Sequence, residues 1–225
     1  MALTLSELRT RVKQATGRTG TAVPNQDALI AQYLNDALRV TARYANWRDL
    51  AVNRTATLAV GTTRYAFPTD LKQLVSMRLK DGTGSALMTE ISGRALDAAA
   101  PDLATEGVGV PTCYAVDGNY FEIYPPTDAA YGLAIRGFKF PPEMVVDSDN
   151  PAVDGIDDVL IHFATADLFA SMGMLAEAEY FRAKGKDALA AAAAEDARRP
   201  AWYPEEPVAG ELPVSNYWGN PFVRG

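Results

Sequence analysis

At 225 residues, 48% of them hydrophobic and 22% charged, the chain can bury one good core, or one core plus an inserted subdomain. A formal net charge of −7 argues against a surface built to grip nucleic acid, which needs clustered lysine and arginine to release phosphate counterions. No apolar run approaches the roughly 18 residues of a membrane span. Met1-Ala2-Leu3-Thr4 carries no basic export region, and the single cysteine, Cys113, excludes an internal disulfide or a cysteine-built zinc site.

The N-terminal third reads as helix. Thr4 with Glu7 three residues on is a capping box, and Leu5, Leu8 and Val12 follow at helical spacing until Gly17-Arg18-Thr19-Gly20 breaks the pattern. Asn25 is placed to cap a second helix whose apolar face is Leu29, Ile30, Tyr33, Leu34, Ala37, Leu38, Thr41 and Tyr44. Trp47, just past its end, is expected to close the core there.

The period then changes. From Val52 to Phe140, β-branched and aromatic residues cluster in short runs between turn signals. Ala56–Val60 and Thr63–Phe67 flank Gly61, and Leu74–Leu79 and Ala86–Ile91 flank Asp81-Gly82-Thr83-Gly84; each pair predicts a hairpin. The sharpest signal is Asp117-Gly118-Asn119 between Cys113–Val116 and Tyr120–Tyr124. Leu133–Phe138 makes a further strand, ended by Pro141-Pro142, and Arg94–Ala99 a short helix or turn. Short antiparallel strands on tight turns describe a small sandwich or barrel.

Helices return with a segment that Asp154 or Asp157 is expected to cap. Its apolar face is Ile156, Val159, Leu160, Phe163, Ala164, Leu168 and Met172, and Gly173 turns it into a last helix over 175–197 with Ala178, Phe181 and Leu189 inward. The run Ala190, Ala191, Ala192, Ala193 and Ala194 has high helix propensity but offers little to pack. It suits either a subunit interface, where another backbone approaches closely, or a solvent-facing helix held by propensity. The order of elements predicts an α+β fold. It is a discontinuous antiparallel helical bundle, two helices from residues 1–50 and two from 146–197, with a small antiparallel β module inserted over 51–145 and an extended arm over 198–225.

That arm carries prolines at 200, 204, 207, 213 and 221, which exclude a helix or an inner strand. Between them lie Trp202, Tyr203, Tyr217, Trp218 and Phe222, where a solvated linker would have glycine, serine and charge. Large aromatics with little rotamer entropy to lose, on a preorganised backbone, suit a docking arm. A tail wrapped over its own domain is the alternative.

No constellation of residues supports catalysis. His162 is the only histidine, so it has no second imidazole or thiolate to share a metal, and no Gly-x-Ser-x-Gly elbow accompanies it. Gly107-Val108-Gly109 precedes a strand, not a helix, and does not resemble a phosphate loop. Counted from Asp147, the sixth and twelfth positions of a calcium loop fall on Ala152 and Asp158, a poor fit to the Gly and Glu required. Neither a metal nor a cofactor is expected. Asp147, Asp149 and Asp154 would be the only plausible carboxylates of a hydrolase.

Several strings together resemble tailed-phage head-to-tail adaptor proteins. They are Tyr33-Leu34-Asn35-Asp36-Ala37-Leu38 with Trp47, then Tyr65-Ala66-Phe67-Pro68-Thr69-Asp70-Leu71. Gly109-Val110-Pro111-Thr112-Cys113-Tyr114 and Glu122-Ile123-Tyr124-Pro125-Pro126-Thr127-Asp128 follow, before the acidic helix start and long apolar face of 154–172. The resemblance spans about residues 25–190. It implies a non-enzymatic virion protein, in a ring of twelve copies beneath the portal protein, with a tail or nozzle protein below. Double-stranded DNA would pass through the channel without specific binding, and the C-terminal arm would reach the portal. No membrane is involved. The competing expectation is a tail-associated module that recognises a glycan or peptide through the β module.

Overall fold

The computed structural model describes residues 2–17, 26–80, 84–101 and 107–198. Among the described residues the chain is α+β, with five α-helices and two four-stranded sheets, and divides into two compact units, Met1–Thr41 with Met144–Gly225, and Ala42–Glu143. The expected Asn25 cap and the arm beyond Arg198 lie outside the described residues.

In the first unit, α1 (Leu5–Ala15) starts on the expected capping box, with both halves formed: Thr4 accepts from the Glu7 amide and Glu7 accepts from the Thr4 amide. Leu5, Leu8 and Val12 are buried. Helix α2 (Gln26–Tyr44) buries Ile30, Leu34, Ala37, Leu38 and Thr41, and Thr41 satisfies its hydroxyl by donating to the Ala37 carbonyl at 2.8 Å. Leu29 and Tyr44, expected on the same face, are instead 37% and 58% exposed. Leu29 lies about 100° around the helix from Ile30, on the shoulder of the stripe, and Tyr44 ends the last turn.

Helix α4 (Asp157–Ser171) is buried nearly all round: Ile161, Thr165, Ala166 and Phe169 are covered as well as the expected Val159, Leu160, Ala164 and Leu168. Such a helix belongs at the centre of its packing group. Its cap differs from expectation. Neither Asp154 nor Asp157 caps it; Ile156 holds the cap position without a side-chain bond, and Asp157 Oδ2 accepts from the Leu3 amide at 3.1 Å. The carboxylate serves the chain terminus instead of its own helix. At the other end, Gly173 (φ +78°) takes a left-handed conformation, with its amide bonded to the Ala170 carbonyl and the Met174 amide to Phe169. Helix α5 (Leu175–Arg198) returns along α4 with only Ala178, Gly185 and Leu189 buried. A Cβ on Gly185 would lie 3.0 Å from the Phe163 ring, so glycine permits the close crossing.

The second unit holds sheets ordered β1-β8-β3-β4 and β2-β7-β6-β5, comprising β1 (Ala51–Leu58), β2 (Arg64–Ala66), β3 (Leu71–Lys80), β4 (Ser85–Leu87), β5 (Thr89–Glu90), β6 (Cys113–Asp117), β7 (Tyr120–Tyr124) and β8 (Tyr131–Lys139). The β6–β7 hairpin forms as expected, with a two-residue loop in which Gly118 has φ +57°. The hairpin expected across Gly61 does not form. The chain does turn there, with Gly61 at φ +71°, but β1 pairs with β8 and β2 with β7, so the turn carries the chain from one sheet to the other. The segment expected as one strand over 86–91 likewise divides at Met88: β4 pairs with β3, and β5 lies parallel to β6. Leu58, Met77, Leu79, Leu133 and Ile135 from one sheet meet Tyr114, Phe121 and Ile123 from the other in a shared core. Helix α3 (Gly93–Ala99) is capped by Ser92 and lies on β6.

Trp47 is buried beside a short helical turn, Arg48–Leu50. Nearby, Lys72 Nζ donates to the carbonyls of Ala42 and Ala45 at 2.7 Å each and to Asn46 Oδ1 at 3.1 Å. A cation thus takes up the carbonyls at the end of α2, whose last residues from Ala42 on belong to this second unit and lack intrahelical partners.

Candidate interaction surfaces

Two of the residues singled out for chemistry, Asp147 and Asp149, have structural work. Asp149 Oδ2 accepts from the amides of Val145 and Val146 at 2.7 and 2.8 Å, and these bonds hold its carboxyl below the usual range. Asp147 pairs with Arg9, and its carbonyl accepts from the Ser6 amide; the Asp149 carbonyl accepts from Leu5. The acidic stretch therefore fastens the loop before α4 to the start of α1. Asp154 is exposed, and no group of three or more metal-ligating side chains occurs among the described residues. His162 is half-buried with its ring 6.0 Å from that of Phe181, and burial lowers its pKa. Cys113 lies on β6 with Sγ donating to the Tyr124 carbonyl, and burial raises its pKa, which keeps the thiol protonated.

The alanine run lies within α5. Ala190, Ala191 and Ala194 are exposed, and Ala192 and Ala193 half-buried, so part of the run is available to a neighbour. Trp202, Tyr203, Tyr217, Trp218 and Phe222 lie outside the described residues. The aromatics of the β module mostly turn inward: Phe121 stacks on Tyr65 with centroids 5.5 Å apart and meets Phe67 edge-on at 6.2 Å. Tyr120, 45% exposed, lies beneath the Arg64 guanidinium at 4.5 Å.

Two exposed surfaces escaped the sequence reading. The first is the outer face of the β1-β8-β3-β4 sheet, where strand register aligns three rows: Thr57, Gly132, Lys80 and Ser85; Thr55, Ala134, Arg78 and Leu87; Asn53, Arg136 and Ser76. No row contains a carboxylate. Lys80 and Arg136 are exposed, Arg78 is half-buried with its Nε lacking an acceptor, and none of the three has an ion pair among the described residues. The alternation Ser76-Met77-Arg78-Leu79-Lys80 signals that face in the sequence; Arg136 joins it only through register. The second is the corner where α4 turns into α5. Met174, Leu175 and Tyr180 are 40%, 66% and 56% exposed beside exposed Glu177 and Glu179.

Among the described residues, no helix is long and apolar enough to cross a membrane. A search among curated proteins returns no match. The family described as SU10 adaptor protein matches residues 3–208, most of the chain and beyond the span of the recognised strings. The chain therefore belongs to the SU10 adaptor family of phage head-to-tail adaptors and is a structural adaptor of the virion.

Proposed function

We propose that this adaptor assembles as a ring of twelve copies that joins the portal to the tail or nozzle protein below and continues the DNA channel. Family membership over residues 3–208 carries the reading. The helices of 1–50 and 146–197 form the ring body, the β module of 51–145 is inserted between them in the chain, and the arm of 198–225 docks on the portal. Trp202, Tyr203, Tyr217, Trp218 and Phe222 are its anchors, and Ala190–Ala194 lie where neighbouring copies meet. A single arm retains little net affinity after ordering, but twelve on one ring act at high effective concentration and make a lasting joint. A charge of −7 per copy supports passage of DNA without adhesion. The role is non-enzymatic: Asp147 and Asp149 are engaged in fastening a loop.

Mass photometry of the full chain and of a chain ending at Ala197, each with the portal of the same phage, tests this. Addition of about a dozen 24.2 kDa subunits by the full chain alone is the expected result. Equal addition by both chains makes the arm a self-wrapping tail, and addition by neither removes the portal-ring reading. Within the arm, Trp202→Ala and Trp218→Ala should weaken docking more than Glu205→Ala or Glu211→Ala, because desolvated aromatics outweigh exposed charges.

A further inference from the structure

We infer that the cationic outer face of the β1-β8-β3-β4 sheet is one half of a second contact between neighbouring copies, besides that at Ala190–Ala194, and that its occupant is the corner at the start of α5 of the next copy. The inference rests on the ring reading above and assigns that ring a specific lateral contact.

Charge complementarity carries it. The chain has seven more acids than bases, so copies brought side by side repel unless opposite charges face one another. Arg78, Lys80 and Arg136 share one sheet face with hydroxyls, an amide and small residues, and with no acid in the aligned rows. Conversely, from Phe140 to Phe181 the chain has no lysine or arginine, and Glu177 and Glu179 stand exposed at the end of that stretch. Each surface also offers apolar area: Leu87, 56% exposed, pairs across strands with Arg78, while Met174 and Leu175 are exposed just before the two glutamates and Tyr180 just after them, its ring carrying the Lys184 ammonium at 4.7 Å on one face. Gly132, Ala134 and Ser76 are the small residues between the cations, which leaves room there for a neighbour's side chains.

The two surfaces are different, so the contact is heterologous, the kind that closes a ring when its rotation divides the circle. Exposed ion pairs contribute little singly, and the apolar contacts add the rest; repeated around a ring, each contact reinforces the others. Nucleic acid is the other class of anion such a face could take. The −7 charge and the inward-turned aromatics of the module favour a protein partner.

Three full-length variants test the assignment by mass photometry and carbodiimide coupling on the portal of the same phage, with thermal unfolding as a check on the fold. Arg78→Glu with Arg136→Glu, and separately Glu177→Lys with Glu179→Lys, should each lower occupancy of the assembled ring about tenfold or more at limiting protein. The chain carrying all four substitutions should recover it, because the charges are opposed again. In the wild-type assembly, coupling should join Lys80 of one copy to Glu177 or Glu179 of another. Wild-type assembly matched by both double variants overturns this contact and leaves the ring standing. Loss in both double variants without recovery in the fourfold variant also overturns it. If the wild type adds no multiple copies to the portal, the ring reading falls and this contact falls with it.

Discussion

Helices α4 and α5 lie against each other yet are held in opposite ways. Eight of the fifteen residues of α4 are buried, and three of the twenty-four of α5. Helix α4 is apolar around almost its whole circumference and receives α1 on one side and α5 on another. Helix α5 keeps a narrow inward stripe of Ala178, Phe181, Gly185 and Leu189, with Phe181 stacked on Phe169 at 5.5 Å, and turns the rest outward. Stability is therefore concentrated in α4, whereas α5 is long, charged and free to take on a partner. Substitutions in one should register in folding, and in the other in assembly.

The largest expected effect is in α4. Leu160→Ala, at a fully buried position, should cost about 3 kcal/mol in chemical denaturation, from lost burial plus the cavity left behind. Leu175→Ala, at 66% exposure on α5, should stay within about 0.5 kcal/mol. Comparable losses at both positions would mean that α5 is held by far more than its stripe.

Next comes the seam between the two helices. Gly185→Leu must displace the Phe163 ring, which already lies 3.0 Å from where a Cβ would be, and should destabilise by about 2 kcal/mol despite leucine's higher helix propensity. Adding Phe163→Ala should return part of the loss, since the side chain then enters vacated space. A Gly185→Leu chain as stable as wild type would show that the helices separate freely, and the close crossing would lose its significance.

What could be read from the sequence follows the range of the interactions involved. The Thr4–Glu7 box and the Gly118-Asn119 turn involve residues within a few positions of each other, and both formed as read. The partner of β1 is β8, with Ala51 opposite Phe138, and no local turn signal encodes so distant a pairing. The hairpin expected across Gly61 failed for that reason. The apolar stripe of α4 was read correctly, but Ile161, Thr165 and Phe169 lie off it, and their burial depends on how many elements converge there. Lys72 at the end of α2 and the cationic rows on the outer sheet face needed three-dimensional register before their roles could be seen. The family was legible because its strings occur in order along the chain, which requires no tertiary information.

Smaller effects test how α4 is fastened to its other neighbours. Thr4→Ala removes one half of the capping box on α1 and should cost about 1 kcal/mol, read by denaturation at neutral pH. The smallest effect concerns His162 on α4. Burial disfavours its charged form, Asp158 opposes that shift and Lys184 adds to it, and its Nδ1 is buried without a partner. With the folded pKa depressed, the unfolded chain takes up the proton first as pH falls, so stability should decline through the range in which an ordinary histidine titrates, about pH 7.5 to 5.5. Asp157 acts in the opposite sense, since burial raises its carboxyl against the opposing bond from the Leu3 amide. His162→Gln should therefore flatten the decline while changing stability little at pH about 8. An unchanged slope would place the titration elsewhere. A flattened slope would identify α4, already the most deeply buried helix, as the element whose hydration responds to mild acid, while the exposed face of α5 stays indifferent.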